Sequence, residues 1–549
     1  MKSAAKTTGL RYWMLRVLDE CDNASAGFGA DPVHDLRVAL RRCRSLADGM
    51  IAMDPDPDWK AMKKAGKKLF QSLGELRDVQ VMMDWIGKLE VENTTVEQTL
   101  QSAQPEAVQT PAKIQSVDPA GNNDVHDPAA RALLHILKSR ETEHKHQARA
   151  ALDEFDRKQW RQWSKSLPQR AARIRPGNAV FKHLALERWT AARDLHARAM
   201  RNRSQIALHT LRIGIKRFRY IVENFLPEEH KSWGGDLKHL QDLLGEVHDF
   251  DVLWTTALAC HAFPDEASRK AWHTRILEER TRRVDEYREK TTGRDSLWDR
   301  WRAGLPQGRQ IQEIATRRMK LWAKALDPDF PHSERVARLS LELFDGLSAR
   351  GLLAAKTSGS TPEGDHAADA RLSLYAAALM HDVGKVKGNK GHHKESMQLI
   401  QKHGAPLGWK PENLARAAIV SRFHCGALPT RTHKALRDLT TEEHRSVVRL
   451  SAILRLANAL DSSHDGRIRR VKVENSVAGS SRFPRMNKSS AAPSAMAKGE
   501  ALVIEAEGYA DGTPTAQAVA AERYLLETVL RRPVLIRPLR NTASTGRAA

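Results

Sequence analysis

Residues 33–50, VHDLRVALRRCRSLADGM, constrain this chain more than any other stretch. On an α-helix, at ~100° per residue, His34, Arg37, Arg41 and Arg44 fall within roughly 80° of one another. Leu36, Leu40 and Cys43 point elsewhere, as a packed side requires. The pattern returns in residues 208–225, LHTLRIGIKRFRYIVENF, where Arg212, Lys216 and Arg219 follow His209 at the same three offsets. For one such helix, a solvated charged face is the plainer reading. Like charges at i,i+4 repel, so two copies of a stripe of one histidine and three cations need a further reason. An anionic partner supplies one.

The echo continues downstream. Residues 73–78, LGELRD, match residues 244–249, LGEVHD, each about 35 to 40 residues after its basic helix. Both segments end amphipathic runs, which hold Lys67 in one copy and Lys238 in the other. Two corresponding units predict a pseudo-symmetric helical domain. On both H-x-x-R-x-x-x-[RK]-x-x-R helices and both LGE-x-x-D segments, residues 1–310 resemble the CHAD family, the conserved-histidine α-helical domain. The resemblance implies two four-helix bundles facing each other across a basic groove that binds inorganic polyphosphate. The groove residues it implies are His34, Arg37, Arg41, Arg44, His209, Arg212, Lys216 and Arg219, with Lys67 and Lys238 on the following helices.

At 549 residues and 41% apolar content the chain should hold two or three domains with real cores. Its net charge of +22 attracts polyanions in general: nucleic acid, polyphosphate or an anionic membrane surface. Cys21, Cys43, Cys260 and Cys425 include no close pair, which argues against a disulfide framework or a structural zinc site. No apolar run has transmembrane length, and the N-terminus lacks a signal-peptide core, so no membrane partner is expected. The expected home is reducing and cytoplasmic, at polyphosphate granules if the resemblance holds.

Helix-forming sequence runs from about Lys6 to Glu90, broken near 27–32 and 54–57. Residues 91–128 read as a flexible insertion, rich in Thr, Gln, Pro and Asn. The first repeat then closes near 165, residues 166–180 connect, and the second repeat spans 180–310. The tryptophans at 160, 163, 189, 233, 272, 298 and 301 are spaced as core or rim anchors. A base-stacking platform would interleave them with the basic stripe, and mostly they are not so placed.

Beyond about Gln310 the character changes. Residues 331–347 form an amphipathic helix that begins at His332, and residues 446–464 place Asn458 and Asp461 one turn apart. Between them, an apolar helix ends in His381-Asp382, with Gly384-Lys385 directly after. The chain holds five His-Asp dipeptides, at 34, 126, 248, 381 and 464, so the dipeptide alone says little. Its place at the end of a buried helix says more, because a buried carboxylate is costly unless paired or metal-bound. With His332 and a later oxygen ligand, His381 and Asp382 complete a mixed N/O site suited to Zn, Mn, Fe or Mg. His392, His393 and His424 add imidazoles, and Lys385 can neutralise a phosphate.

These motifs, with GHHKESMQLI, RFHCGALP and RLANALDSSHDGRI, give residues 313–540 a resemblance to the HD phosphohydrolase superfamily. More narrowly, they resemble the C-terminal HD-type domain of the exopolyphosphatase/guanosine-pentaphosphatase family. A short β region (471–474 and 501–505) and a last helix before strand-like 534–536 belong to the match. The expected fold is mainly α: paired four-helix bundles over 1–310, then an HD-superfamily helical domain with a small β region over 311–540. A disordered loop at 475–499 and a tail at 541–549 complete it. The resemblance makes His332, His381 and Asp382 metal ligands. The superfamily's final ligand is an Asp in an L-A-D-x-L setting, and here that position is Asn458, whose carbonyl coordinates without bringing charge. Asp461 is the alternative ligand.

An active site of this kind would perform metal-assisted hydrolysis, with Lys385, His393 and His424 stabilising charge on the departing group. Two main readings stay open. One is a polyphosphate-binding protein with a metal-dependent phosphohydrolase domain acting on polyphosphate or a related phosphate ester or anhydride. The other is a polyphosphate-targeting scaffold whose HD domain is inactive. A third, nucleic-acid binding, rests on net charge alone. Oligomeric state is not legible.

Overall fold

A computed structural model describes residues 9–102, 127–202, 204–353, 363–474 and 501–539. The chain divides into two compact units, 1–314 and 315–549. Among the described residues, no helix is long and apolar enough to cross a membrane.

Unit 1 is helical. α1 (Leu10–Ser25), α2 (Ala30–Ile51), α3 (Pro57–Ser102) and α4 (Pro128–Asp153) each pack on the next, and α5 (Arg157–Ala171) closes against α1 and α3. α6 (Ala179–Arg201), α7 (Gln205–Phe225), α8 (Pro227–Ala259) and α9 (Glu266–Thr291) repeat the order, closed by the short α10 (Leu297–Ala303). This is the pseudo-symmetric pair of four-helix bundles. α2 meets α7 and α3 meets α8, so the two repeats join through equivalent helices. The α2–α7 contact is close because Gly49 lies under Phe225, where a Cβ would come within 2.2 Å of the ring. Further along, Ile86 and Leu89 of α3, Leu133 and Leu137 of α4, Phe250 and Leu253 of α8 and Trp272 of α9 share one core. Trp160, Trp163, Trp233, Trp272, Trp298 and Trp301 are buried, as core anchors.

Two expected boundaries move. α3 does not stop near Glu90 but runs to Ser102, because no Gly or Pro interrupts the chain before Pro105. Of the expected insertion, residues 103–126 lie outside the described residues. α5 passes residue 165 to Ala171, since Trp160, Trp163, Ser164 and Leu167 make one buried face that continues beyond it. The expected loop at 475–499 and tail at 541–549 also lie outside the described residues.

The unit boundary falls within α11 (Arg309–Leu326). In unit 2, α12 (Phe330–Ser348), α13 (Glu363–Met380), α15 (Pro411–Arg422) and α17 (Thr441–Leu460) surround the core, with α14 (His392–His403) on α15. α16 (Lys434–Arg437) is a single turn. β1 (Val471–Glu474) pairs antiparallel with β2 (Leu502–Ala506), which pairs in parallel with β3 (Val534–Pro538). A parallel neighbour needs a crossover, and α18 (Pro514–Leu530) provides it while packing on α17.

Candidate functional site

Unit 1 gathers its cations where α2 and α7 cross. Arg41 of α2 lies over the Tyr220 ring of α7, 5.7 Å from its centroid. Arg42 pairs with Glu223, and Asn224 Nδ2 donates to Ser45 Oγ at 2.9 Å, fixing the crossing. Arg37 reaches across to α3, where Nη1 donates to the Leu73 carbonyl at 2.8 Å and the guanidinium covers Phe70. Gly74 makes that approach possible, because a Cβ there would stand 2.9 Å from Arg37 Nη1. Arg44 also lies over the Phe70 ring, 4.9 Å from its centroid.

The stripes merge into one positive cluster. Burial, then Arg212, Arg41 and Arg37, pulls the Lys216 ammonium down to about 7, with Asp249 acting the other way. Burial also lowers His34, and Arg77 and Arg41 add to it. His209 Nδ1 lies 3.2 Å from His248 Nδ1. Burial and then Arg212 lower His248 to about 4, and the same two causes lower His209. Two acids from the repeated LGE-x-x-D segments complete the cluster. Burial raises Asp78 against the pull of Arg37 and Arg212, and raises Asp249 to about 6 against Arg212.

Several buried donors in this cluster have no protein partner: Arg41 Nε, Arg44 Nη1, Arg212 Nε, Arg219 Nε and the Tyr220 hydroxyl. Arg219 Nη1 does donate to Gln241 Oε1 at 3.0 Å. Lys67 and Lys238 are exposed, each ~16 Å along its helix from Asp78 or Asp249. Lys238 is paired with Asp242 at 2.9 Å. Sequence reasoning did not single out Arg77, Tyr220 or His248. Arg77 and His248 were signalled by their matching positions before Asp78 and Asp249.

In unit 2, each site residue sits at a helix end for a local reason. The Asp329 side chain caps α12 on the His332 amide, with Pro331 in the first turn. A capping box, Thr440 with Glu443, starts α17 and leaves Asn458 and Asp461 at its other end. After α13 the chain tightens into a 3-10 turn, Val383–Lys387. Ser396 Oγ locks that turn, donating to the His381 carbonyl at 2.6 Å and accepting from the Gly384 amide at 2.9 Å. Only glycine fits there, since a Cβ on Gly384 would lie 2.1 Å from the His392 carbonyl oxygen.

Three imidazoles are oriented alike. His381, His392 and His424 each direct Nδ1 at a backbone carbonyl three residues back, at 2.8, 2.8 and 2.7 Å. That bond places a proton on Nδ1 and turns Nε2 toward Asp382, and the hydrogen bond to that carboxylate raises His392 to about 10. His381 Nε2 is 3.3 Å from Asp382 Oδ2, while His392 Nε2 and His424 Nε2 are 3.2 and 3.7 Å from Oδ1. His381 Nε2 and Asp382 Oδ1 are buried without hydrogen-bond partners. Burial opposes the Asp382 charge, but His381, His392 and His424 outweigh it and hold the carboxyl far below its usual range.

His332 turns Nδ1 to Asp461 Oδ2 at 2.7 Å and Nε2 to Asn458 Oδ1 at 3.0 Å. Arg335 Nε takes both Asp461 oxygens, at 3.0 and 2.9 Å. Asp461 therefore stands behind the imidazole as its orienting carboxylate, where it was expected as an alternative ligand. The His464 ring stacks on His332 at 3.9 Å between centroids, from a left-handed backbone position at φ 56. Arg335 and His464 had no separate signal in the sequence.

Two overlapping ligand sets result, His332–His381–Asp382 and Asp382–His392–His424, each with its ligand atoms within 4.8 Å of one another. The unpartnered His381 Nε2 and Asp382 Oδ1, with further imidazoles around the same buried carboxylate, fit a divalent cation, and Asp382 is the residue both sets share. The expected roles shift accordingly. His424 faces the carboxylate as a ligand would, rather than a leaving group. Lys385 Nζ donates to Asp382 Oδ2 at 2.5 Å and so points inward. His393 lies beside Cys425, outside both sets.

No curated protein matches this chain. The family model of the CHAD domain matches residues 15–258, and that of the Ppx/GppA phosphatase, domain III, matches residues 314–486. A match to the CHAD domain is thus followed, on the same chain, by a match to domain III of the Ppx/GppA phosphatases.

Proposed function

We propose that unit 1 binds inorganic polyphosphate and that unit 2 is a metal-dependent phosphohydrolase centre acting on polyphosphate or a related phosphate ester or anhydride. The observation that carries the first part is the set of buried, unpartnered donors on Arg41, Arg44, Arg212, Arg219 and Tyr220. Leaving a buried donor unsatisfied costs about 1–3 kcal/mol, so five together in one basic cluster support an external acceptor. A polyphosphate chain offers acceptor oxygens at every unit and gains from counterion release as each cation replaces salt. The ligands proposed for it are His34, Arg37, Arg41, Arg44, His209, Arg212, Lys216 and Arg219, with Lys67 and Lys238 extending the track.

In unit 2, His332, His381, Asp382, His392 and His424 would hold one or two divalent ions of the Mn, Mg, Zn or Fe type, with Asn458 as a neutral further ligand. Bound there, the metal supplies an activated water and a Lewis acid for a phosphoryl oxygen. The chain's own part is orientation. Three backbone carbonyls orient the imidazoles, Asp461 fixes His332, and Lys385, beside Asp382, would supply positive charge to a bound phosphate.

The test of the first part is binding of long-chain polyphosphate to the wild type and to a variant neutralised at Arg37, Arg41, Arg212 and Lys216. Affinity should fall steeply, with an unfolding curve to show that the fold is kept, since Arg37 also holds the Leu73 carbonyl, and unchanged affinity in the folded variant would overturn the groove. For the second part, metal content and phosphate release are measured together, with Asp382→Ala expected to lose both. A second reading, a polyphosphate-binding scaffold with an inactive unit 2, is favoured by one feature. Asn458 stands where a charged ligand is usual and brings no charge to the ion. Wild-type protein that is metal-free and inert would establish that reading.

A further inference from the structure

Among the described residues, a third group of metal-ligating side chains overlaps the two sets only at His392. Cys425 follows His424, and Gly426 comes next at φ +70, a turn that sets the Cys425 sulfur against the first turn of α14. Cys425 Sγ lies 3.5 Å from His393 Nδ1 and 4.0 Å from His392 Nε2. The three ligand atoms all lie within 4.8 Å of one another, and all three residues are half-buried, open to an arriving ion. As hydrogen bonds these contacts are poor, because a thiol is a weak donor and acceptor. As ligand separations they are apt. Tetrahedral zinc, with Zn–S about 2.3 Å and Zn–N about 2.0–2.1 Å, parts sulfur from nitrogen by about 3.6 Å.

We propose that His392, His393 and Cys425 bind a thiophilic divalent ion, zinc foremost, at a site separate from the Asp382 centre but sharing His392 with it. One thiolate with two imidazoles selects zinc over the hard ions Mg and Mn. Three protein ligands leave the fourth tetrahedral position to water. His392 Nε2 faces one ion at a time, since the same atom is 3.2 Å from Asp382 Oδ1 and 4.0 Å from Cys425 Sγ. Zinc at the sulfur therefore withdraws His392 from the Asp382 centre and opposes whatever ion is held there. That consequence rests on the metal reading of Asp382, whereas the zinc site itself does not.

The test titrates full-length, metal-stripped protein with Co2+ as a spectroscopic stand-in for zinc. Wild type should develop the near-ultraviolet thiolate-to-cobalt charge-transfer band. Cys425→Ser should abolish the band and weaken Zn2+ binding by at least about 100-fold, the upper end of what even an outer-shell partner costs. Asp382→Asn and Cys260→Ser should both keep the band. A wild type without it, or its survival in Cys425→Ser, overturns the proposal. So does its loss in Asp382→Asn, which would merge the site with the Asp382 centre. Cys425→Ser is nearly isosteric, and its unfolding curve shows whether the fold is retained. The readout is independent of phosphate release, so an inert protein that shows the band sinks the hydrolase reading alone.

Discussion

Lys216 reports on the whole basic face. Its folded value of about 7 lies below the ordinary 10.5, first through burial and then through Arg212, Arg41 and Arg37. Folding therefore sheds a proton between those values, so stability rises with pH across that window. It is lowest at and below pH about 7, where the buried charge is fully present. A polyanion on the face restores the proton. Affinity should weaken as pH rises from about 6 to about 9, and Asp249, raised to about 6 by burial, acts in the same direction as it ionises. Lys216→Met should flatten the profile above pH about 7 and raise the melting temperature most at and below that pH. Calorimetry in buffers of differing ionisation enthalpy counts the proton, and no uptake at pH about 8 would refute the linkage. In unit 2, Asp461→Asn should weaken Mn2+ binding about 10–100-fold although Asp461 touches no ion, because it releases the His332 tautomer. Asn458→Asp should tighten binding by adding a charge. Equal affinities in wild type and Asp461→Asn would show that something else orients His332.

At the scale of the element, two glycines make opposite expectations. The 3-10 turn after α13 exists because Gly384 lets the backbone pass against α14. Gly384→Ala should destabilise unit 2 by at least roughly 1–3 kcal/mol, since the obstruction is backbone and cannot step aside. The same change should disturb His381 and His392 together, as Ser396 bonds both sides of the turn. Gly87 sits within α3 with nothing inside 4 Å of a built Cβ. Gly87→Ala should therefore stabilise unit 1 by about 1 kcal/mol through helix propensity alone. Urea unfolding of both variants checks the two signs, and a stabilised Gly384→Ala would mean that the turn is not tight.

For the whole molecule, the net charge of +22 attracts any polyanion, so charge cannot choose between polyphosphate and nucleic acid. Shape and salt can. Removing four groove cations should lower the slope of log affinity against log salt by ~3, taking ~0.7 per contact for a flexible strand. Polyphosphate should outcompete duplex DNA of equal charge, because partly buried cations are within reach of a thin chain and not of a helix with fixed phosphate spacing. A competition that DNA wins would favour the nucleic-acid reading.

The sequence by itself determined the helices, the internal repeat, the sheet positions to within a residue or two and the two family resemblances. All of these are written in local periodicity and spacing, which survive whatever the chain packs against. Only the tertiary structure decided who meets whom. His332 and Asp461 are 129 residues apart, and no pattern in either helix says whether Asp461 will face an ion or the back of an imidazole. The Lys385 ammonium meets Asp382, His424 faces Asp382, and Tyr220 lies under Arg41, all contacts that only the fold makes. Periodicity fixes the face a side chain occupies. Its partner, its tautomer and its remaining lone pair are set by packing between segments that the sequence keeps far apart.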